Sequence, residues 1–479
     1  MKILMLNPPF MPKFSRQSRS PCVTKGGTFY YPYYLAYATG NLEKNGFRVK
    51  LIDAVADDWS RERVMRFVDN YEPDLVVVDT STPSIYNDVE IASEIKKLGV
   101  KHVSLVGTHP SRVPNETLKL SENIDSICRD EYDNTVVELA KVVEIGKGID
   151  SVKGITYRQG KRIFSTENAQ LIKNLDDLPF VSEVYKKHLN IEKYFYASLM
   201  WPQITILTAR GCPFSCSFCP IPFKGSYRYR SPENVAEEFE YIENEFPQVK
   251  EVMIEDDTFP VLKDRTNKLC DLLIKNKSPL KWSCNARVDT PLETLFKMKK
   301  AKCRLMCVGF ESPAQDILDN IHKKTTKQLQ LNFMGRAKTA GILVNGCYIL
   351  GLPGDTEETI KETIEFAKEI NADTSQFYPL MVYPGTEAYE WAKKNKYLKT
   401  EDYSKWITED GMHTTTVSRP DLPVEKLIKM CNGARKEYYI RKGYIASKIV
   451  QSIKNPNEFA RNVKSMKTFS KHLLKSSKK

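Results

Sequence analysis

Short apolar runs alternate with amphipathic stretches over the first 150 residues. The runs at 2–7, 48–53, 74–79 and 102–107, with a weaker one at 125–128, predict strands, and helical periodicity at 89–98 and 135–143 predicts helices among them. Alternation of this kind builds a parallel sheet, so 1–150 reads as a doubly wound, Rossmann-like α/β domain. Ligands of such sheets bind outside the carboxyl ends of the strands, which here present Asn7-Pro8-Pro9-Phe10, Asp53-Ala54, Thr80-Ser81-Thr82 and Gly107-Thr108-His109-Pro110. No GxGxxG follows the first strand, which argues against a nicotinamide dinucleotide.

Residues 151–202 read as a hairpin and linker. Strand patterns resume at 203–208, 251–255, 281–284, 305–310, 343–350 and 376–382, with helices between them. Ser231-Pro232 and Asp355-Thr356 supply helix starts. Six βα units in series predict a partial (βα)6 barrel over 203–400, with its chemistry at the carboxyl ends of the strands. A helical extension is expected over 401–479.

A chain of 479 residues with 41% hydrophobic and 28% charged positions has the composition of a folded multidomain protein. No apolar window is long enough to span a bilayer, and the N-terminal run is too short for a secretory signal, so the expected location is cytoplasmic. The net charge of +12 is local: 441–479 holds eleven Lys/Arg against the single acid Glu458. Apolar positions Ile445, Ile449, Val450 and Ile453, then Phe459, Val463, Met466, Leu473 and Leu474, recur in this basic tail at roughly helical spacing. The tail fits peripheral association with anionic lipid at the inner membrane face, a helical pair packed on the barrel, or phosphate-backbone binding.

Three of the eleven cysteines cluster in Gly211-Cys212-Pro213-Phe214-Ser215-Cys216-Ser217-Phe218-Cys219, just past the first barrel strand. Thiolates on one such loop suit an iron-sulfur cluster or zinc, and three ligands leave one iron of a cluster open. Cys270, Cys284, Cys303, Cys307, Cys347 and Cys431 fall within predicted elements, as small buried hydrophobes do.

CxxxCxxC with an aromatic before its last Cys, on the loop after strand one of a βα barrel, resembles the radical S-adenosylmethionine (radical SAM) superfamily. The resemblance implies a 4Fe-4S cluster on Cys212, Cys216 and Cys219, with Phe218 near the adenine of S-adenosylmethionine. It places Glu255, Asp256 and Asp257 where the family binds the methionyl amino group and Glu311 where a polar group often meets the ribose. It also sets Gly351 on a segment flanking the adenine. Arg287 fits a carboxylate or substrate contact as well as a structural ion pair, and Glu311 fits an ordinary helix-terminal acid. No catalytic residue is assigned.

The preceding doubly wound domain, with Asn7-Pro8-Pro9, Tyr31-Pro32-Tyr33-Tyr34, Asp53-Ala54, Gly107-Thr108-His109-Pro110 and Glu131, resembles the cobalamin-binding branch of that superfamily. Pro9, Ser81 and Thr108 are the candidate cobalamin contacts. The DxHxxG signature is absent, and His109 reads as a lone surface histidine. Transfer-RNA methylthiotransferases of the superfamily carry a second three-Cys cluster, but only Cys22 and Cys128 precede residue 150, so a nucleic-acid substrate is disfavoured. The resemblance implies a radical SAM enzyme that methylates an unactivated carbon of a small or lipid-like substrate through methylcobalamin, fed by a flavodoxin, ferredoxin or other reductase. The alternatives are a cobalamin-binding cyclase or ring-contracting enzyme without methyl transfer, and a zinc-loop binding module.

Overall fold

Val76, Val77 and Val78 are fully buried, which requires a sheet covered on both faces. The computed structural model, which describes residues 1–454, supplies both coverings. Strands β1 (Lys2–Asn7), β2 (Arg48–Asp53), β3 (Leu75–Asp79), β4 (His102–Val106) and β5 (Ser126–Cys128) run parallel in the order β2-β1-β3-β4-β5. The register sets Ile3 between Val49 and Leu75. Ile3, Met5 and Val77 face one core with helices Tyr33–Lys44 and Asp133–Ile145, whereas Leu4, Leu6 and Val76 face another with helices Arg61–Tyr71 and Ile85–Lys97. The chain leaves β1 toward β2 and returns on the other side to β3, which opens a crevice at the carboxyl ends of β1 and β3.

The hairpin expected in the linker is β6 (Ile155–Gln159) and β7 (Arg162–Ser165), and it extends the first sheet antiparallel from β5. The second sheet is β8 (Gln203–Ile206), β11 (Glu251–Ile254), β12 (Lys281–Ala286), β13 (Cys303–Gly309), β14 (Leu343–Leu350) and β15 (Thr374–Pro379), all parallel and in sequential order. Two short strands, β9 (Ala209–Arg210) and β10 (Arg228–Tyr229), pair antiparallel and brace the loop between them. Ser231 caps helix Pro232–Glu245 by accepting the Asn234 N–H, as its place before proline predicts.

One apolar core runs through both domains, because helix Tyr33–Lys44 is wedged between them. Tyr37 is bonded through its hydroxyl to both the Leu207 carbonyl and the Leu207 N–H, and the Tyr31 hydroxyl donates to the Gln203 carbonyl.

The C-terminal extension departs from expectation. Its long helices begin only at Val424, in Val424–Tyr439 and Lys442–Lys454. The preceding segment holds the β-branched run 414–417 and two prolines, Pro420 and Pro423, which disfavour helix. It lies along the end of β15, with the Thr415 hydroxyl donating to the Leu380 carbonyl. The sequence pattern at Phe459, Val463, Met466, Leu473 and Leu474 lies outside the described residues.

Candidate active site between the two domains

Twenty-five residues, 8–32, connect β1 to the first helix, against about 2–6 in an ordinary βα unit. This connection folds over the carboxyl ends of the first sheet and reaches the second. Arg16 is fully buried, paired to Asp88 at 2.6 Å and donating to Asn7 Oδ1 at 2.8 Å. Gln17 donates to Asp79 Oδ2. Arg19 crosses to the barrel, where it meets Glu255 Oε1 at 3.0 Å, the Asp256 carbonyl at 3.1 Å and Asp257 Oδ1 at 3.5 Å.

Between the domains lies a cleft lined by Gln17, Arg19, Thr108, Tyr132, Ile221 and Glu255 among others. Gln17 Oε1, Tyr132 OH and Glu255 Oε2 are buried and make no hydrogen bond within the protein. Buried polar atoms of this kind are costly unless a ligand or water meets them. Gly107, at φ +121°, stands where a Cβ would lie 2.2 Å from the Thr80 carbonyl oxygen, so the turn entering the cleft has no room for a side chain. Burial pushes the Glu255 carboxyl up to about 7, although Arg19 works against it.

The thiol loop flanks this cleft through Pro220, Ile221 and Phe223. Gly211, at φ +86°, lets the chain pass where a Cβ would sit 1.9 Å from the Ser226 carbonyl oxygen. Cys212 N–H donates to the Phe223 carbonyl, and Lys224 Nζ donates to the Cys216 carbonyl at 3.0 Å. From the first domain, Arg112 donates to the Pro222 carbonyl at 3.0 Å. Each thiol has a different cation within electrostatic reach: Arg287 for Cys212, Lys323 for Cys216 and Arg19 for Cys219. Three cations around three thiols suit an anionic cluster. Burial pushes the Cys219 thiol up to about 12, so ligation there must displace a proton. Among the described residues, no three His, Cys, Asp or Glu side chains converge as ligands of one metal ion must. A four-iron cluster, held by one thiolate at each of three irons, does not require that convergence.

The other candidates divide by geometry. Phe218 packs on the apolar cluster that includes Leu352, the residue after Gly351, and Tyr383. That turn is tied by Asp355, which accepts the N–H groups of Gly351 and Leu352 at 2.9 Å each. Asp257 is half-buried beside the buried Glu255 at the cleft, whereas Asp256 turns away and accepts the Thr208 N–H and hydroxyl at 2.6 Å each and the Ala209 N–H at 3.0 Å. Asp256 therefore braces the root of the thiol loop. Arg287 stacks over Phe214 at 3.7 Å and donates to the Lys323 carbonyl. Glu311 holds a left-handed conformation, φ +65°, and forms a buried pair with Lys323 at 2.8 Å.

Of the cobalamin candidates, Thr108 lines the cleft. Ser81 is buried against Ser84, which donates to Asp88, and the Pro9 carbonyl accepts from Asn87, so both belong to the support of Arg16. His109 is not a surface residue: it is 3% exposed, set against Thr82 Oγ1 and the edge of Tyr403. Burial pushes its pKa down to about 3, and it is not among the residues that line the cleft. Sequence reasoning missed Arg16, Gln17 and Arg19, and it singled out Glu131 without its partners Arg210 and Arg228 or the neighbouring Asp133. The length of the 8–32 connection was the available signal.

The Radical SAM superfamily model matches residues 206–367 and the B12 binding domain model matches 20–140. The chain belongs to the radical SAM superfamily and carries a B12-binding domain. An uncharacterized methyltransferase, PH0819, of Pyrococcus horikoshii is 29% identical over 92% of this chain and 93% of its own length. An anaerobic magnesium-protoporphyrin IX monomethyl ester cyclase of Cereibacter sphaeroides is 29% identical over 78% of this chain and 62% of its own. The solved structure of the radical S-adenosylmethionine methyltransferase TsrM from Kitasatospora setae superposes with a TM-score of 0.70 over 90% of this chain and 88% of that one, at 17% identity, which shows a shared fold. The two domain types imply a 4Fe-4S cluster, S-adenosylmethionine and cobalamin as the cofactors of this radical SAM enzyme.

Proposed function

We propose that this enzyme methylates carbon in a small-molecule substrate, with Cys212, Cys216 and Cys219 holding the cluster and the interdomain cleft holding cobalamin. The observation that carries the reading is the single cleft onto which both sets of strand ends open, Thr108 on one wall and Glu255, Asp257 and the thiol loop on the other. When bound, the cluster supplies the electron that cleaves S-adenosylmethionine to a 5′-deoxyadenosyl radical, and cobalamin supplies a methyl group. The chain's own residues orient and exclude. Glu255 and Asp257 face an ammonium group, Phe218 offers an apolar wall to a purine, and Lys323 and Arg287 favour the charge of the ligated loop. The long connection 8–32 roofs the cleft and limits water. An external reductant of the flavodoxin or ferredoxin class completes the set. The relationship to PH0819, named a methyltransferase and matched along nearly its whole length, favours methyl transfer over cyclisation.

Anaerobically reconstituted protein with added cobalamin provides the test. The expected result is about four irons per chain, bound cobalamin, and dithionite-dependent release of both 5′-deoxyadenosine and S-adenosylhomocysteine. Cys216→Ala should abolish the deoxyadenosine. Deoxyadenosine without S-adenosylhomocysteine, in the presence of a converted substrate, would favour the cyclase reading; stoichiometric zinc with neither nucleoside would refute the enzyme.

A further inference from the structure

The helix Lys442–Lys454 is docked the wrong way round for a soluble protein. Its inner face is aromatic and polar: the Tyr444 ring packs against Tyr438 and Tyr439 while its hydroxyl donates to the Asp373 carbonyl at 2.9 Å, Gln451 donates to Asp373 Oδ1 at 3.4 Å, and Lys448 stands 3.7 Å from the same carboxylate. Its outer face carries Ile445, Ile449 and Ile453 at i, i+4 and i+8, with Val450 beside them. These four are 46, 56, 78 and 50% exposed, in that residue order with Val450 last, and Ile440 just before the helix is 60% exposed. A surface helix ordinarily buries its apolar stripe and exposes its polar one. A contiguous exposed apolar row marks a binding surface.

The charge of the helix and of the sequence after it narrows the partner. The helix contains no acid, Lys442 is exposed on it while Lys448 turns inward to Asp373, and the sequence 455–479 carries seven Lys/Arg against Glu458. A second copy of the chain would set this basic surface against itself, and the segment 455–479 is no more complementary, being basic too. A nucleic acid would match the charge but has no use for the isoleucines. An apolar stripe on a helix without acids, followed by a basic sequence, matches an anionic bilayer, which takes the stripe into its headgroup and acyl boundary while its phosphates meet the cations.

We infer that helix Lys442–Lys454 is a peripheral membrane anchor that holds this enzyme on an anionic lipid surface through Ile445, Ile449 and Ile453. The inference is independent of the cofactor chemistry, and it places the enzyme where an apolar, membrane-dissolved substrate is concentrated. The full-length protein is mixed with vesicles of phosphatidylglycerol and phosphatidylcholine, or of phosphatidylcholine alone, and sedimented. The expected result is pelleting with the anionic vesicles at low salt, weakened by high salt, and little pelleting with the neutral ones. The triple variant Ile445→Ser/Ile449→Ser/Ile453→Ser should lose at least about tenfold in partitioning while retaining the thermal midpoint and deoxyadenosine formation of the parent. Failure of the parent to pellet would overturn the inference, as would equal pelleting of the triple variant, which would assign binding to charge alone. A parent dimer that the triple variant converts to monomer without any vesicle binding would assign the row to a second copy. Ile449→Trp supplies a readout in a minimally altered chain: its emission should shift to the blue on adding anionic vesicles, and an unchanged spectrum would refute lipid burial.

Discussion

Two ionic networks join the same pair of domains, and they are built in opposite ways. In one, Arg210 on β9 meets Glu131 at 2.8 Å and Asp133 at 2.7 Å, and Arg228 on β10 meets Glu131 at 2.8 Å. Two cations balance two acids, and Arg210, Glu131 and Asp133 are each about 2–3% exposed. In the other, Arg19 stands between Glu255 and Asp257, is 35% exposed, and leaves Glu255 Oε2 without a hydrogen bond. One cation faces two acids there, on the wall of the cleft. The closed network leaves no acid oxygen unmet, its unbonded atoms being the donors Arg228 Nε and Nη2, and it fixes how the domains sit. The open one retains an unmet acceptor and a side chain able to move, as a ligand-receiving site requires.

The closed network should break hardest. Arg210→Met leaves Asp133 buried without a charged partner and should cost about 3–5 kcal/mol, read as a lower urea midpoint. A loss below about 1 kcal/mol would show that water already reaches it and that the two networks are alike.

Asp79 sharpens the contrast as a buried acid with an amide partner, Gln17, and no bonded guanidinium. Burial pushes it up to about 7. The folded state therefore keeps a proton that the unfolded chain releases near pH 4, so stability from this group is full below about pH 4, declines as pH rises toward 7 and is flat above. Asp79→Asn should remove a slope of at most about 1.4 kcal/mol per pH unit in that window. An unchanged pH profile would mean that Asp79 is not a titrating centre.

Arg19→Ala should be smallest in stability, under about 1 kcal/mol, because Arg19 itself is 35% exposed and Glu255, already pushed up to about 7, takes up a proton once the cation is gone. It should nevertheless lower deoxyadenosine formation by about tenfold, the effect of roughly 1.4 kcal/mol at the transition state. A large fall in urea midpoint with activity intact would make Arg19 a domain clamp like Arg210.

Much of the fold was legible because it depends on near neighbours in the chain. The apolar run 75–78 of β3 and the stripe of helix Glu357–Ile370 are correlations over two to four residues, and they survive without knowledge of the tertiary fold. The thiol motif was legible for the same reason, since Cys212, Cys216 and Cys219 must share one loop. His109 was misjudged because its burial depends on Tyr403, which the chain brings to it from 294 residues away.

Sequence by itself thus determined the parallel strands of the two sheets, the loop that carries three cysteines and the strand ends where that loop begins. Tertiary structure alone decided which charges meet: Arg19 finds Glu255 across 236 residues, and Arg210 finds Glu131 across 79. Lys/Arg and Asp/Glu fill 132 of the 479 positions, so a charged residue carries little local information about its partner. Ion pairing acts through space, and only the folded chain fixes that space.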